Sequence, residues 1–151
     1  VKWVCGLFWL ASGCAAPAAF VEAYAPAALP RTEPLSVLHP AGQTFALDPA
    51  RLQQEVALHL AWAGFTRVSL AAQGRSAPGA FTAMVRSELM PRPLEDYEGR
   101  IIPPLGERVL SILEIRDPGG AVVFRASLVE KLSSALTEVR VARELVRPLS
   151  G

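Results

Sequence analysis

Residues that carry chemistry are scarce in this chain. Its 151 residues include 2 Cys and 2 His, and lysine occurs only at Lys2 and Lys131. Two cysteines exclude a small fold held together by disulfides. Charge of either sign is also in short supply: 15 basic residues against 14 acidic ones leave a formal +1. That balance excludes a nucleic-acid binder driven by bulk electrostatics, because no cationic excess is left to displace counterions from phosphates. No Gly-rich dinucleotide or phosphate-loop pattern occurs, and no internal repeat. What is abundant is apolar: 51% of the residues are hydrophobic and only 19% charged. Such a chain can bury a core, and its length suits one domain. Arginine in place of lysine, with much Ala and Pro, reads as GC-rich coding and a bacterial source.

The first residues form a targeting pattern. Lys2 precedes an uncharged apolar run from Trp3 to Ala11, and the small residues Ser12 and Gly13 lead to Cys14. A positive start, a short apolar core and small residues before a cleavage point are the features of a secretory signal. The run is about half of the roughly 20 residues a membrane-spanning helix needs. Leu10-Ala11-Ser12-Gly13-Cys14 resembles the bacterial lipobox. That resemblance implies cleavage after residue 13, a diacylglyceryl thioether on Cys14, and Cys14 as the mature N-terminus. It also implies outer-membrane sorting, since Ala15 and not Asp follows the cysteine. Ala16-Pro17-Ala18 offers a second cleavage point, which would make the chain soluble and periplasmic. In the lipoprotein reading Cys5 leaves with the signal. The mature body then has no thiol for a disulfide, a nucleophile or a zinc site.

Residues 15–34, with Pro17, Pro26, Pro30 and Pro34, read as an extended flexible tether. The expected organisation is therefore signal 1–13, lipidated Cys14 and tether 14–34, and one α+β domain over 35–151. Leu35–Leu38 and Gln43–Leu47 are candidate strands. Asp48 caps a helix that Pro49 enters and Gly64 ends. Leu52, Val56, His59, Leu60 and Ala63 recur on it at helical spacing. Phe65–Leu70 and Phe81–Leu89 alternate like strands. Val109–Ile115 and Ala121–Leu128 flank Asp117-Pro118-Gly119-Gly120, a hairpin with turn residues at its centre. A last helix is expected from Ser133 to Val146, capped by Ser133 or Ser134. Its apolar stripe is Ala135, Val139, Ala142 and Val146, with Leu136 and Leu145 beside it. Two one-sided helices covering one face of a mostly antiparallel sheet is the economical architecture.

Taken together, Thr44-Phe45-Ala46-Leu47, the helix ending Leu60-Ala61-Trp62-Ala63-Gly64-Phe65, the Arg108–Arg125 hairpin with Gly119-Gly120, and the closing helix resemble one family. This is the domain-of-unknown-function 4136 family of small bacterial envelope lipoproteins. The resemblance spans roughly residues 35–149. It implies an envelope-facing α+β lipoprotein and carries no catalytic residue with it.

Few side chains suggest a reaction. His59 sits in the apolar stripe of the first helix and reads as a core histidine with a satisfied hydrogen bond. His39, before Pro40, reads as a surface turn residue. Two His without a mature Cys predict no metal site. Gly74-Arg75-Ser76-Ala77-Pro78-Gly79 is one residue too long for a nucleophile elbow. Glu95, Asp96 and Glu98 cluster in the 90–106 loop without EF-hand spacing, which favours a solvated acidic loop. Arg140, Arg143 and Arg147 fall on the polar side of the last helix, a patch suited to an anionic partner. Glu144 lies among them and can pair with Arg140 or Arg147, as on any solvated helix face.

The sequence thus predicts a non-enzymatic envelope lipoprotein with a structural or interaction-accessory role. It is held to the membrane by Cys14, with a protein partner in the envelope, no nucleic acid, no metal and no cofactor. The alternative is an accessory subunit that binds lipid or another hydrophobic ligand for an envelope transport system.

Overall fold

The computed structural model describes residues 20–25, 28–40, 46–71, 75–90 and 107–151. Six strands form one sheet in the order β1-β6-β5-β4-β2-β3, with β1 Phe20–Tyr24, β2 Leu35–Leu38, β3 Val68–Leu70, β4 Phe81–Leu89, β5 Arg108–Arg116 and β6 Val122–Lys131. The pairs β1–β6, β6–β5 and β5–β4 are antiparallel; β2 runs parallel to both β4 and β3. Helices α1 (Pro49–Trp62) and α2 (Glu138–Val146) pack on the sheet and on each other. This is the α+β, mostly antiparallel sheet with two helices that the sequence predicts.

Alternation decides which face is covered. In β4, Ala83, Val85 and Ser87 are buried; in β5, Val109, Ser111, Leu113 and Ile115; in β6, Phe124, Ala126, Leu128 and Glu130. The register places Val85, Leu113 and Ala126 side by side, and likewise Ala83, Ile115 and Phe124. Leu52, Val56 and Leu60 of α1 and Val141, Ala142, Leu145 and Val146 of α2 close over this face. A buried polar residue ties α1 to the sheet. Buried Gln53 of α1 donates from Nε2 to the carbonyls of Val37 (2.6 Å) and Ala71 (3.1 Å), where β2 and β3 run out.

Local chemistry sets the element ends. Asp48 Oδ1 accepts from the Ala50 and Arg51 amides, which caps α1 as its sequence requires. At the other end Phe65 N–H reaches Leu60 O at 3.2 Å, a bond spanning five residues that closes a Schellman turn. Gly64 supplies the left-handed residue, at φ 101°. In the hairpin, Asp117 N–H donates to Ala121 O and Asp117 Oδ1 accepts from Ala121 N–H, both at 2.9 Å. Arg31 binds the ends of the two helical segments together. Its guanidinium donates to Ala63 O (2.6 Å) and Leu149 O (2.7 Å) and lies 4.5 Å from the centre of the Phe65 ring.

Several expectations change. Within the stretch read as a tether, Phe20–Tyr24 is an edge strand, paired with β6 over Arg125–Val129. Phe65–Leu70 yields only a three-residue strand. Phe65 turns into the core and Thr66 N–H bonds Arg31 O, so the chain is not yet extended there. Ala46 and Leu47, the described part of the Gln43–Leu47 candidate, form a bend. Helix α2 starts later than expected, because Thr137 and neither Ser133 nor Ser134 caps it, through Arg140 N–H. Its buried side accordingly rotates to Val141, Ala142, Leu145 and Val146, and Val139 is exposed.

Gln53→Leu keeps the volume but removes both side-chain bonds at the ends of β2 and β3, while Val37 O keeps the Ala71 N–H at 2.9 Å. It should cost about 0.5–1.5 kcal/mol, read as a lower urea midpoint at unchanged slope. A midpoint equal to that of the wild type would show that this tie contributes nothing.

Candidate functional site

The cleft with the most chemistry lies at one end of the α1–α2 seam. It is lined by His59 of α1 and by Arg143, Glu144, Val146, Arg147 and Ser150 of α2 and the turn after it, with a volume of about 330 Å³. The seam exists because both helices cover the same sheet face. Its end is polar because the apolar stripe of α2 faces the sheet, which leaves Arg143 and Arg147 on the solvent side. Arg31, through Leu149 O, fixes the turn that carries Ser150.

Glu144 is the centre of charge. Its Oε1 is 3.5 Å from Arg143 Nε and its Oε2 accepts from Arg147 Nη1 at 3.3 Å. Both guanidiniums stay largely in water, at 61% and 76% exposed, so these pairs contribute little to stability. They do hold two planar cations on successive turns of one helix face.

His59 differs from its expectation. It is half-buried, and its Nε2 is buried without a hydrogen-bond partner among the described residues. Its ring meets the Trp62 ring edge-on at 4.9 Å, and Trp62 itself is 69% exposed. Desolvation holds the imidazole below its ordinary pKa, against the pull of Glu55; Arg143 adds to the lowering. At neutral pH the ring is therefore uncharged, and the cleft carries two cations and one anion.

The three predicted arginines do not stay together. Arg140 turns to the sheet, where its Nε lies 3.3 Å from Glu130 Oε1, an ion pair by distance without an aligned hydrogen bond. Glu130 sits at the end of the inner face of β6, only 7% exposed, and draws the arginine in. Arg143 and Arg147 remain in the cleft. Glu144 pairs with Arg147, as the spacing allows, and also with Arg143 instead of Arg140. Ser150 was not legible as a site residue, because only the turn at Arg147–Leu149 brings it beside His59.

His39 lies beyond the end of β2, with Nδ1 3.2 Å from the carbonyl of Pro40, far along the chain from the seam. Cys14 and the Glu95–Glu98 cluster lie outside the described residues, as does Gly74. Among the described residues no three His, Cys, Asp or Glu side chains come together to hold a metal ion. No helix among them is long and apolar enough to cross a membrane.

The lowered pKa of His59 predicts a pH effect. In the unfolded chain the ring titrates near about pH 6.5, and in the folded chain below that. As pH falls through this window the unfolded state takes up a proton that the folded state resists, so folding loses stability. His59→Gln should flatten the fall in Tm from about pH 7 to about pH 5 in thermal scans. Parallel curves for both proteins would contradict a desolvated neutral imidazole here.

No protein-family model matches the chain, and no curated protein matches it. The resemblance to the 4136 family is therefore not supported by a family model. In three dimensions the chain is similar to the PelC dodecamer from Paraburkholderia phytofirmans, at 21% identity and a TM-score of 0.61. A Leu-to-Met variant of that dodecamer gives 19% identity and a TM-score of 0.63. In both cases the match covers 89% of this chain and 99% of the PelC chain. What the chain shares with PelC is its fold.

Proposed function

We propose that this chain is a PelC-like lipoprotein of the bacterial envelope. It would face the periplasm from the outer membrane and serve exopolysaccharide export as a non-catalytic accessory that works in several copies. The observation that carries this reading is the match of nearly the whole chain to nearly the whole of a protein found as a dodecamer. The lipobox-like Leu10–Cys14 segment supports it independently, since it was read without the fold.

The two observations fit together mechanically. Strand β1 begins at Phe20, six residues after Cys14. A fully extended chain spans at most about 3.5 Å per residue, so an acyl-anchored Cys14 would hold this sheet edge within about 20 Å of the lipid surface. The tether is then a short leash, and copies on one membrane face share one orientation. Shared orientation and high local concentration both favour closed assembly.

A carrier of lipid or another apolar ligand is the competing reading. The seam cleft suits it poorly, because Val146 is the one apolar side chain in the lining.

Two measurements test the proposal on full-length protein expressed in bacteria. Cys14→Ala should move the protein from the membrane fraction to the soluble periplasm or block its maturation; unchanged membrane retention would sink the anchor. Native mass spectrometry of the detergent-extracted wild type should show a discrete multimer. A monomer at every accessible concentration would remove the assembly from the reading.

A further inference from the structure

The geometry points to the seam cleft of His59, Arg143, Arg147 and Ser150 as a binding site for a phosphate group. Its volume of about 330 Å³ lies at the lower end of the range for small-molecule sites. It therefore admits a phosphate and a modest attached group, such as a sugar or a glycerol.

The donors converge from separate elements. Glu144 engages one nitrogen of each guanidinium, Nε of Arg143 and Nη1 of Arg147. Each arginine has further N–H groups in the same planar fork, a geometry that matches phosphate oxygens. Ser150 adds a hydroxyl from the turn. The His59 ring lines the cleft beside them, and its Nε2 has neither exposed surface nor a partner among the described residues. The ring therefore meets a bound anion through the electrostatic field and not as a donor. A carboxylate has two oxygens and is satisfied by a single arginine fork. A phosphate has three or more, and so makes better use of donors spread over α2 and the terminal turn.

The charges agree in sign. Among the lining residues Arg143 and Arg147 against Glu144 leave one positive charge while His59 is neutral; Glu55, whose charge reaches the imidazole from α1, offsets part of it. A bound phosphate would add a negative charge beside the imidazole and raise its pKa, opposing the desolvation and the Arg143 charge that now lower it and adding to the pull of Glu55. Arg140 takes no part, being held by Glu130. The inference does not depend on membrane anchoring or assembly, so it can fail or stand apart from them.

The experiment follows the two histidines by NMR in the full chain in non-ionic detergent. With only His39 and His59 present, each ring can be titrated separately. Inorganic phosphate, added at constant ionic strength against a chloride control, should raise the His59 titration midpoint and leave His39 unmoved. A second arm replaces it with vesicles of phosphatidylglycerol in phosphatidylcholine. A response there without one to inorganic phosphate assigns the site to a lipid headgroup; the reverse assigns it to a soluble phosphate. The Arg143→Ala/Arg147→Ala double variant should lose the response, with an otherwise unchanged amide spectrum showing that it is folded. A His59 midpoint that moves with neither probe, or that moves equally with chloride or in the double variant, overturns the assignment.

Discussion

Everything in this structure follows from a sheet that is covered by helices on one face. The buried rows must stay in register across β4, β5 and β6, because a slip of one residue would turn every core side chain outward. The register rows Ala83–Ile115–Phe124 and Val85–Leu113–Ala126 show how the constraint is met. Each row sets bulky residues beside a small one, Ala83 on β4 in the first and Ala126 on β6 in the second. The small positions fall under the two helices, since α1 packs on β4 and α2 on β6. The hairpin holds the register from its closed end. Asp117 fixes the turn, and an irregularity after Ile115 absorbs the odd residue before the ladder ends at Val122.

One covered face puts both helices in one layer, where they meet along a seam. Seams between helices are apolar inside and polar at their ends, and this seam ends in His59, Arg143 and Arg147. The cleft is thus a consequence of the fold and needs no dedicated loop. Arg31 joins the end of α1 to the turn after α2, on either side of the cleft. The residue stands in the stretch read as a tether. The N-terminal segment is therefore part of the architecture that shapes the cleft.

The legible parts of the fold were those coded by local pattern. Asp48-Pro49 and Gly64 marked α1, and alternation marked β4 and the hairpin. Period, cap and turn chemistry each act within a few residues, so one sequence displays them. The illegible parts were coded by partners far along the chain. Strand β1 lies in Ala- and Pro-rich sequence and joins the sheet through the backbone of β6, to which its composition gives no clue. Thr137 and not Ser133 or Ser134 caps α2, because the chain first closes a turn from Leu136 N–H to Ser133 O before the helix begins. Arg140 looked equivalent to Arg143 and Arg147 by helical spacing. What separates it is Glu130, ten residues upstream on another element, and no spacing rule reports that. His59 read as a satisfied core residue because its stripe position was visible while the apolar surroundings that leave its Nε2 without a hydrogen-bond partner were not.

This division explains why the fold and the cleft rest on different grounds. A sheet that needs alternating apolar residues and two apolar stripes accepts many sequences, since volume and pattern suffice. About one-fifth identity to PelC is enough to keep that pattern over 89% of the chain. Such degeneracy carries architecture across distant sequences. It carries no individual polar side chain. The cleft depends on four side chains from three elements, and none of them belongs to the core: two are arginines in water, one is an exposed hydroxyl and one is a half-buried ring against Trp62. Volume and pattern do not require these side chains, so a distant sequence with the same fold need not carry them.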